Sequence, residues 1–183
     1  MSNNSSKILT YTGKLISPVD PDPNEIDIVD IAHALSMMCR FGGHSNEFYS
    51  VAQHSYLCSL LTEDLNLAIV LLLHDASEAY IHDIITPLKP YISSYKDIEN
   101  TVMQRIFEKF DLKWPLSDEY KKKVKDIDNI MLLTEFKNFM SKIPDDCEIA
   151  KHYKPLDLEI NANSPEIAKI NFISRFKELV KRQ

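Results

Sequence analysis

Asp64-Leu65-Asn66-Leu67-Ala68-Ile69-Val70-Leu71-Leu72-Leu73-His74-Asp75 is the stretch whose reading decides the fold. Leu67 to Leu73 is apolar on every side, which suits neither an amphipathic surface helix nor a half-exposed strand. An aspartate opens the run, as a helix N-cap does. The run is too short to span a bilayer, so it predicts a helix at the centre of a bundle. Its end is unusual: an imidazole and a carboxylate close the most apolar segment of the chain. A carboxylate taken out of water needs a compensating partner, which a cation or an arginine can supply.

Helical patterns extend on both sides. Ile28, Ile31, Ala32 and Leu35 recur at helical spacing, with Met38 and Cys39 continuing the stripe, and predict a helix over 28–40 stopped by Gly42-Gly43. Further helices are expected over 50–61 (apolar face Val51, Leu57, Leu60 and Leu61), from 64 through His74-Asp75 to before Thr86-Pro87, over 94–110, and over 117–141. Ser164-Pro165-Glu166 opens the last one with an N-cap and a first-turn proline. Residues 1–6 read as a frayed tail, and 7–27 as a short strand or hairpin and a proline-bearing loop. The expected fold class is all-α: one compact helical-bundle domain over 7–183 with a short N-terminal hairpin.

Composition narrows the function. The chain has 183 residues, 44% hydrophobic and 26% charged, which is ordinary globular usage for one buried domain. Its three glycines make no phosphate-cradling loop. A formal charge of −6, with no basic run beyond Lys121-Lys122-Lys123, argues against long nucleic acid as the ligand; those lysines read as a solvated helix face. Cys39, Cys58 and Cys147 form no C-x-x-C pair and read as buried free thiols. The polar N-terminus and the lack of a membrane-length apolar run lead to the expectation of a soluble, cytoplasmic protein.

Two further features bear on His74-Asp75. His54 lies on a helix with an apolar face, and Asp128 lies at the edge of the stripe Val124, Ile127, Met131, from which it can look inward. Two histidines and two aspartates make a mixed nitrogen and oxygen set suited to Mn, Co, Fe, Zn or Mg, with positions left open for water and a phosphate oxygen. Alone, His74-Asp75 reads more simply as a satisfied structural pair. Ser55 and Ser77 stand in no nucleophile elbow. His33 reads as a packing histidine, His82 as a loop residue near the site mouth, and His152 as solvated.

His54, His74-Asp75 and Asp128 reproduce the H…HD…D pattern of the HD-domain phosphohydrolases. Four flanking segments follow in order: Arg40-Phe41-Gly42-Gly43-His44, Phe48 to His54, His74 to Tyr80, and Asp83 to Lys89. Together they resemble the YfbR/YfdR-like 5′-deoxynucleotidase branch, and also a phage dATP triphosphohydrolase group, over about residues 7 to 140.

The resemblance implies a helical bundle that hydrolyses 2′-deoxynucleotides with metal-activated water, cleaving a monophosphate or a triphosphate ester, with dATP the first candidate. It implies His54, His74, Asp75 and Asp128 as ligands of a divalent cation and Glu78 as the acid that manages the attacking water. Glu78 follows His74 and Asp75 by four and three residues, which would set it on their helix face. Arg40 matches a phosphate-binding arginine, Asp83 a residue near the sugar, and His44 and Lys89 further substrate-side positions. Phe41 stands where an aromatic, often Trp, packs on the deoxyribose or base. A homo-oligomer is also implied. The competing expectations are a non-catalytic nucleotide- or metal-binding module and an HD hydrolase of a signalling nucleotide.

Overall fold

The computed structural model describes residues 6–182, so most of the segment read as a frayed tail lies outside the described residues. The chain opens with a minimal hairpin, β1 (Ile8–Leu9) against β2 (Leu15–Ile16), antiparallel in the register Ile8 to Ile16 and Leu9 to Leu15. Gly13, at φ +85°, closes its turn, a conformation an L side chain resists. Ile16 and Ile26 are fully buried and pin the ensuing proline-bearing loop to the core.

Eight α-helical segments follow: α1 (Ile28–Met37), α2 (Val51–Ser59), α3 (Leu65–Leu73), α4 (Glu78–Ile81), α5 (Tyr95–Lys109), α6 (Asp118–Phe139), α7 (Glu148–His152) and α8 (Pro165–Arg182). The fold is all-α with a short N-terminal hairpin, as expected. Among the described residues no helix is long and apolar enough to cross a membrane.

The caps sit where the side chains predict. Asp64 accepts from the backbone N–H of Asn66 and Leu67, Ser50 from Gln53, and Ser117 from Tyr120. All seven residues from Leu67 to Leu73 are buried, and α3 packs on α2, α6 and α8. Burying each large side chain there contributes about 2 kcal/mol. The main core joins α1, α2, α3, α5 and α8. A second cluster, around Tyr49, Leu71, Met131 and Phe139, lies beneath the site.

Three expectations need correcting. The first helix ends at Met37, not Arg40, because Met38 to Arg40 are drawn into an extended pairing. Arg40 N–H donates to Tyr49 O at 2.8 Å and Val51 N–H to Met38 O at 3.1 Å. Leu60 and Leu61 are exposed beyond the end of α2, so its buried face is instead Val51, Ala52, Ser55 and Cys58. Of the three free cysteines only Cys58 is buried; Cys39 and Cys147 are half-buried. The short α7 had no sequence signal strong enough to be expected.

Candidate metal centre

Three elements converge on one point. α2 supplies His54, the residue that ends α3 supplies His74, and α6 supplies Asp128. One ligand atom from each lies within 4.8 Å of the others, a spacing that can hold a metal ion. His54 is fully buried, whereas His74 and Asp128 open partly to solvent. Asp75 stands beside them, its Oδ2 3.3 Å from His74 Nε2 and 3.8 Å from His54 Nε2.

The hydrogen bonds on the far side of each ring decide what the near side presents. His74 Nδ1 lies 2.7 Å from the carbonyl oxygen of Leu71, which can only accept, so this nitrogen carries a proton. His54 Nδ1 lies 2.6 Å from Oε1 of Glu135, a carboxylate with no exposed surface. Burial alone would raise Glu135, but the charges of Arg40 and His54 hold its carboxyl below the usual range, so it too accepts. Both imidazoles therefore offer Nε2 lone pairs inward when neutral, and these atoms are 3.3 Å apart. Asp128 Oδ1 adds another acceptor 3.5 Å from His54 Nε2.

Several acceptors facing one another with no donor between them require a cation, either a proton or a metal. Without metal the surroundings favour a proton on His54. Burial and the nearby Arg40 charge oppose it, but Cys58, Glu135 and Asp128 outweigh them and raise His54 well above its ordinary value. Asp128 answers in the opposite sense: burial would raise it, yet the two histidines hold it far below the carboxylate range. The donor set thus fits a divalent ion with nitrogen and oxygen preference, each ring being oriented by a partner on its outer nitrogen.

Through Asp128 and its neighbour Asp75 the cluster borders a cleft of about 460 Å³. Arg40, Phe41, Asp75, Glu78, Asp83 and Lys89 line it, together with Lys125, Asp128 and apolar residues of α6. His44 is exposed and outside this lining. A second chamber of about 310 Å³ reaches the cluster at His74 and Asp128, with Lys121, Lys125, Phe107 and Trp114 in its wall. Lys125 lines both and pairs with Asp128 Oδ2 at 3.0 Å.

Glu78 does not share a helix with His74 and Asp75. The Leu71 carbonyl accepts from the His74 ring, and the backbone beyond tightens into i→i+3 bonds: Ala76 N–H to Leu73 O at 2.9 Å and Glu78 N–H to Asp75 O at 3.0 Å. Glu78 starts α4 beyond this turn and still faces the same cleft as Asp75. It is almost fully buried, and burial first, then the negative charges of Asp75 and Asp83, push its carboxyl up to about 10.

Arg40 is held on one side and open on the other. Its Nε and Nη2 lie 3.1 and 2.9 Å from Oε2 of Glu135, while Nη1 lies 3.8 Å from Asp75 on the cleft side. Phe41, next to it, adopts φ +57°, a region bulky L residues avoid, and sets its ring 5.4 Å from Phe136. Lys89 is paired with Glu99 at 3.1 Å, and Asp83 is exposed at the lip. The remaining histidines lie apart: His33 stacks on Tyr11 with centroids 3.8 Å apart, His82 follows α4, and His152 ends α7.

No family model matches the chain. Uncharacterized protein YfdR of Escherichia coli (strain K12) is 45% identical over 107 residues, which is 58% of this chain and 60% of that protein. An uncharacterized protein of Rhodobacter capsulatus is 33% identical over 122 residues, 62% of each chain. The chain spans about three fifths of the length of these relatives, and neither name states an activity.

Glu135 is the site residue that the sequence pattern does not bring forward. It also accepts from Tyr49 Oη at 2.9 Å, so four donor atoms from three side chains meet on one buried carboxylate. The available signal was its place on α6, seven residues (two turns) beyond Asp128 and so on the same face.

Proposed function

We propose that the protein is a metal-dependent phosphohydrolase of 2′-deoxynucleotides. The observation that carries this reading is the convergence of two ring nitrogens and two carboxylates, each ring oriented by a partner on its outer nitrogen, beside a cleft that also holds a buried acid and an arginine. His54, His74 and Asp128 would hold the ion, with Asp75 as the fourth ligand; the order of sequence motifs supports the same set. A divalent cation there supplies a Lewis acid that makes water a nucleophile near neutral pH and neutralises phosphate charge.

The chain's own groups do the rest. Arg40, anchored through Nε and Nη2, keeps Nη1 toward the cleft, where a phosphate oxygen can take it. Glu78 holds its proton because it is buried and because two carboxylates face it. A cation held through Asp75 would offset one of those charges and lower the Glu78 carboxyl, which would suit it to exchange a proton with the attacking water. Phe41, Phe136 and Leu132 give the cleft an apolar wall against which a sugar or base can lie.

A panel of deoxynucleoside mono-, di- and triphosphates, dATP first, incubated with Mn²⁺ or Co²⁺ and resolved by chromatography, tests the reading. His74→Ala and Asp128→Ala are expected to lose both bound metal and turnover. Metal-stimulated hydrolysis surviving in those variants, or tight nucleotide binding without turnover in the wild type, overturns it.

A further inference from the structure

The buried carboxylate of Glu135 does more than fill space beneath the site. Its two oxygens are divided between two functions. Oε1 takes the Nδ1 proton of His54 at 2.6 Å and the Tyr49 hydroxyl at 2.9 Å; Oε2 takes Nε and Nη2 of Arg40 at 3.1 and 2.9 Å. One negative charge therefore serves a candidate metal ligand on α2 and a candidate anion-binding cation, from segments 81 and 95 residues away in sequence. No part of Glu135 is exposed, so water cannot screen the competition between its partners.

We propose that Glu135 is a positioning residue that couples the two seats, so that a cation at His54 and an anion at Arg40 strengthen each other's binding. The inference rests on the metal-dependent reading above. An anion engaging Nη1 draws Arg40 charge away from Oε2. The carboxylate then leans more fully on the His54 Nδ1–H, which makes the opposite ring nitrogen a better electron donor. In the other direction, a cation at His54 Nε2 polarises Nδ1–H toward Oε1, and Arg40 turns more of its charge to the cleft. Linkage requires the two effects to be equal in free energy. The arrangement would favour occupation by metal and phosphate together over either one alone.

The test measures Mn²⁺ affinity with and without saturating inorganic phosphate, by calorimetry, in the wild type and in Glu135→Gln. Glu135→Gln is expected to weaken Mn²⁺ binding about 10- to 100-fold, the usual effect of losing a partner behind a ligating histidine. It should also shrink the factor by which phosphate tightens Mn²⁺. A purely structural role would lower affinity and leave that factor unchanged, which overturns the proposal. Glu135→Asp keeps the charge but is too short to reach both partners, and is expected to keep the fold while losing part of the factor. An undiminished factor in this folded variant also overturns the coupling. A wild type that binds no Mn²⁺ removes the metal reading itself, and the proposal with it.

Discussion

At the scale of single residues the site is a set of opposed charges, and Glu78 shows the cost most clearly. In the folded protein its carboxyl keeps a proton up to about 10, against 4.5 when unperturbed. Between those values the folded state binds more protons than the unfolded chain, so stability falls as pH rises through the window. Glu78→Gln removes that slope. The metal-free variant is expected to exceed the wild type in stability at pH 8 by several kcal/mol and to match it near pH 4.5. Thermal melts in chelator at the two pH values check this, and a wild type more stable than the variant at pH 8 would contradict it. The same substitution should cut turnover about 100- to 10,000-fold, since stability and proton transfer pull on this side chain in opposite directions. His54, His74, Asp75 and Asp128 are legible in the sequence through the resemblance carried by the ordered flanking segments, with the apolar setting of His74-Asp75 beside it. Glu135 has only its register two turns beyond Asp128 to mark it, and that alone does not tell a buried carboxylate from a solvated one. Only the fold brings Arg40 and His54 to it.

At the scale of elements, what was legible was local and what was missed was tertiary. The all-apolar α3, its Asp64 cap and the Ser117 and Ser164 starts depend on neighbours within a turn, and they lie where the pattern placed them. The early end of α1 depends on a backbone pairing with Tyr49 to Val51, and the break after α3 on one ring capturing one carbonyl. Neither has a sequence signature. The precision of the cluster further depends on how α2 is held, and Gln53, next to His54, provides a staple. Its amide donates to Asn161 O and accepts from Asn163 N–H, both at 2.8 Å, tying the segment before α8 to α2. Arg175 fastens α8 to the end of α2 through Ser59 O at 2.9 Å. Gln53→Ala leaves two backbone groups unpaired and is expected to destabilise the fold by about 1–3 kcal/mol in urea unfolding. Because the substitution leaves His54 and its Glu135 partner in place, Mn²⁺ affinity should change less than threefold in the folded variant. A collapse of metal binding with little loss of stability would show that Gln53 acts on the ligand instead.

At the scale of the whole molecule, the cluster joins α2 and the end of α3 to α6, which lies far from both in sequence and meets them only in the folded chain. A cation held there binds the folded state and has no comparable seat in the unfolded one, so it must stabilise the fold by mass action. At a hundred times the dissociation constant this amounts to about 2.7 kcal/mol. For a chain of this size that corresponds to a rise in Tm of roughly 5–10 °C. The sign of the pH dependence follows from the proton on His54, which carboxylates hold in place when no metal is present. The ion has to displace that proton, so metal binding weakens as pH falls and the shift should be larger at pH 8 than at pH 6. Scanning calorimetry with Mn²⁺ and with chelator at both pH values measures it. His54→Ala supplies the control: it should melt lower than the wild type and show no metal-dependent shift at either pH. If the shift is the same at pH 6 and pH 8, or persists in His54→Ala, the stabilising ion sits elsewhere, and the meeting of three helices at this point must be explained by packing alone.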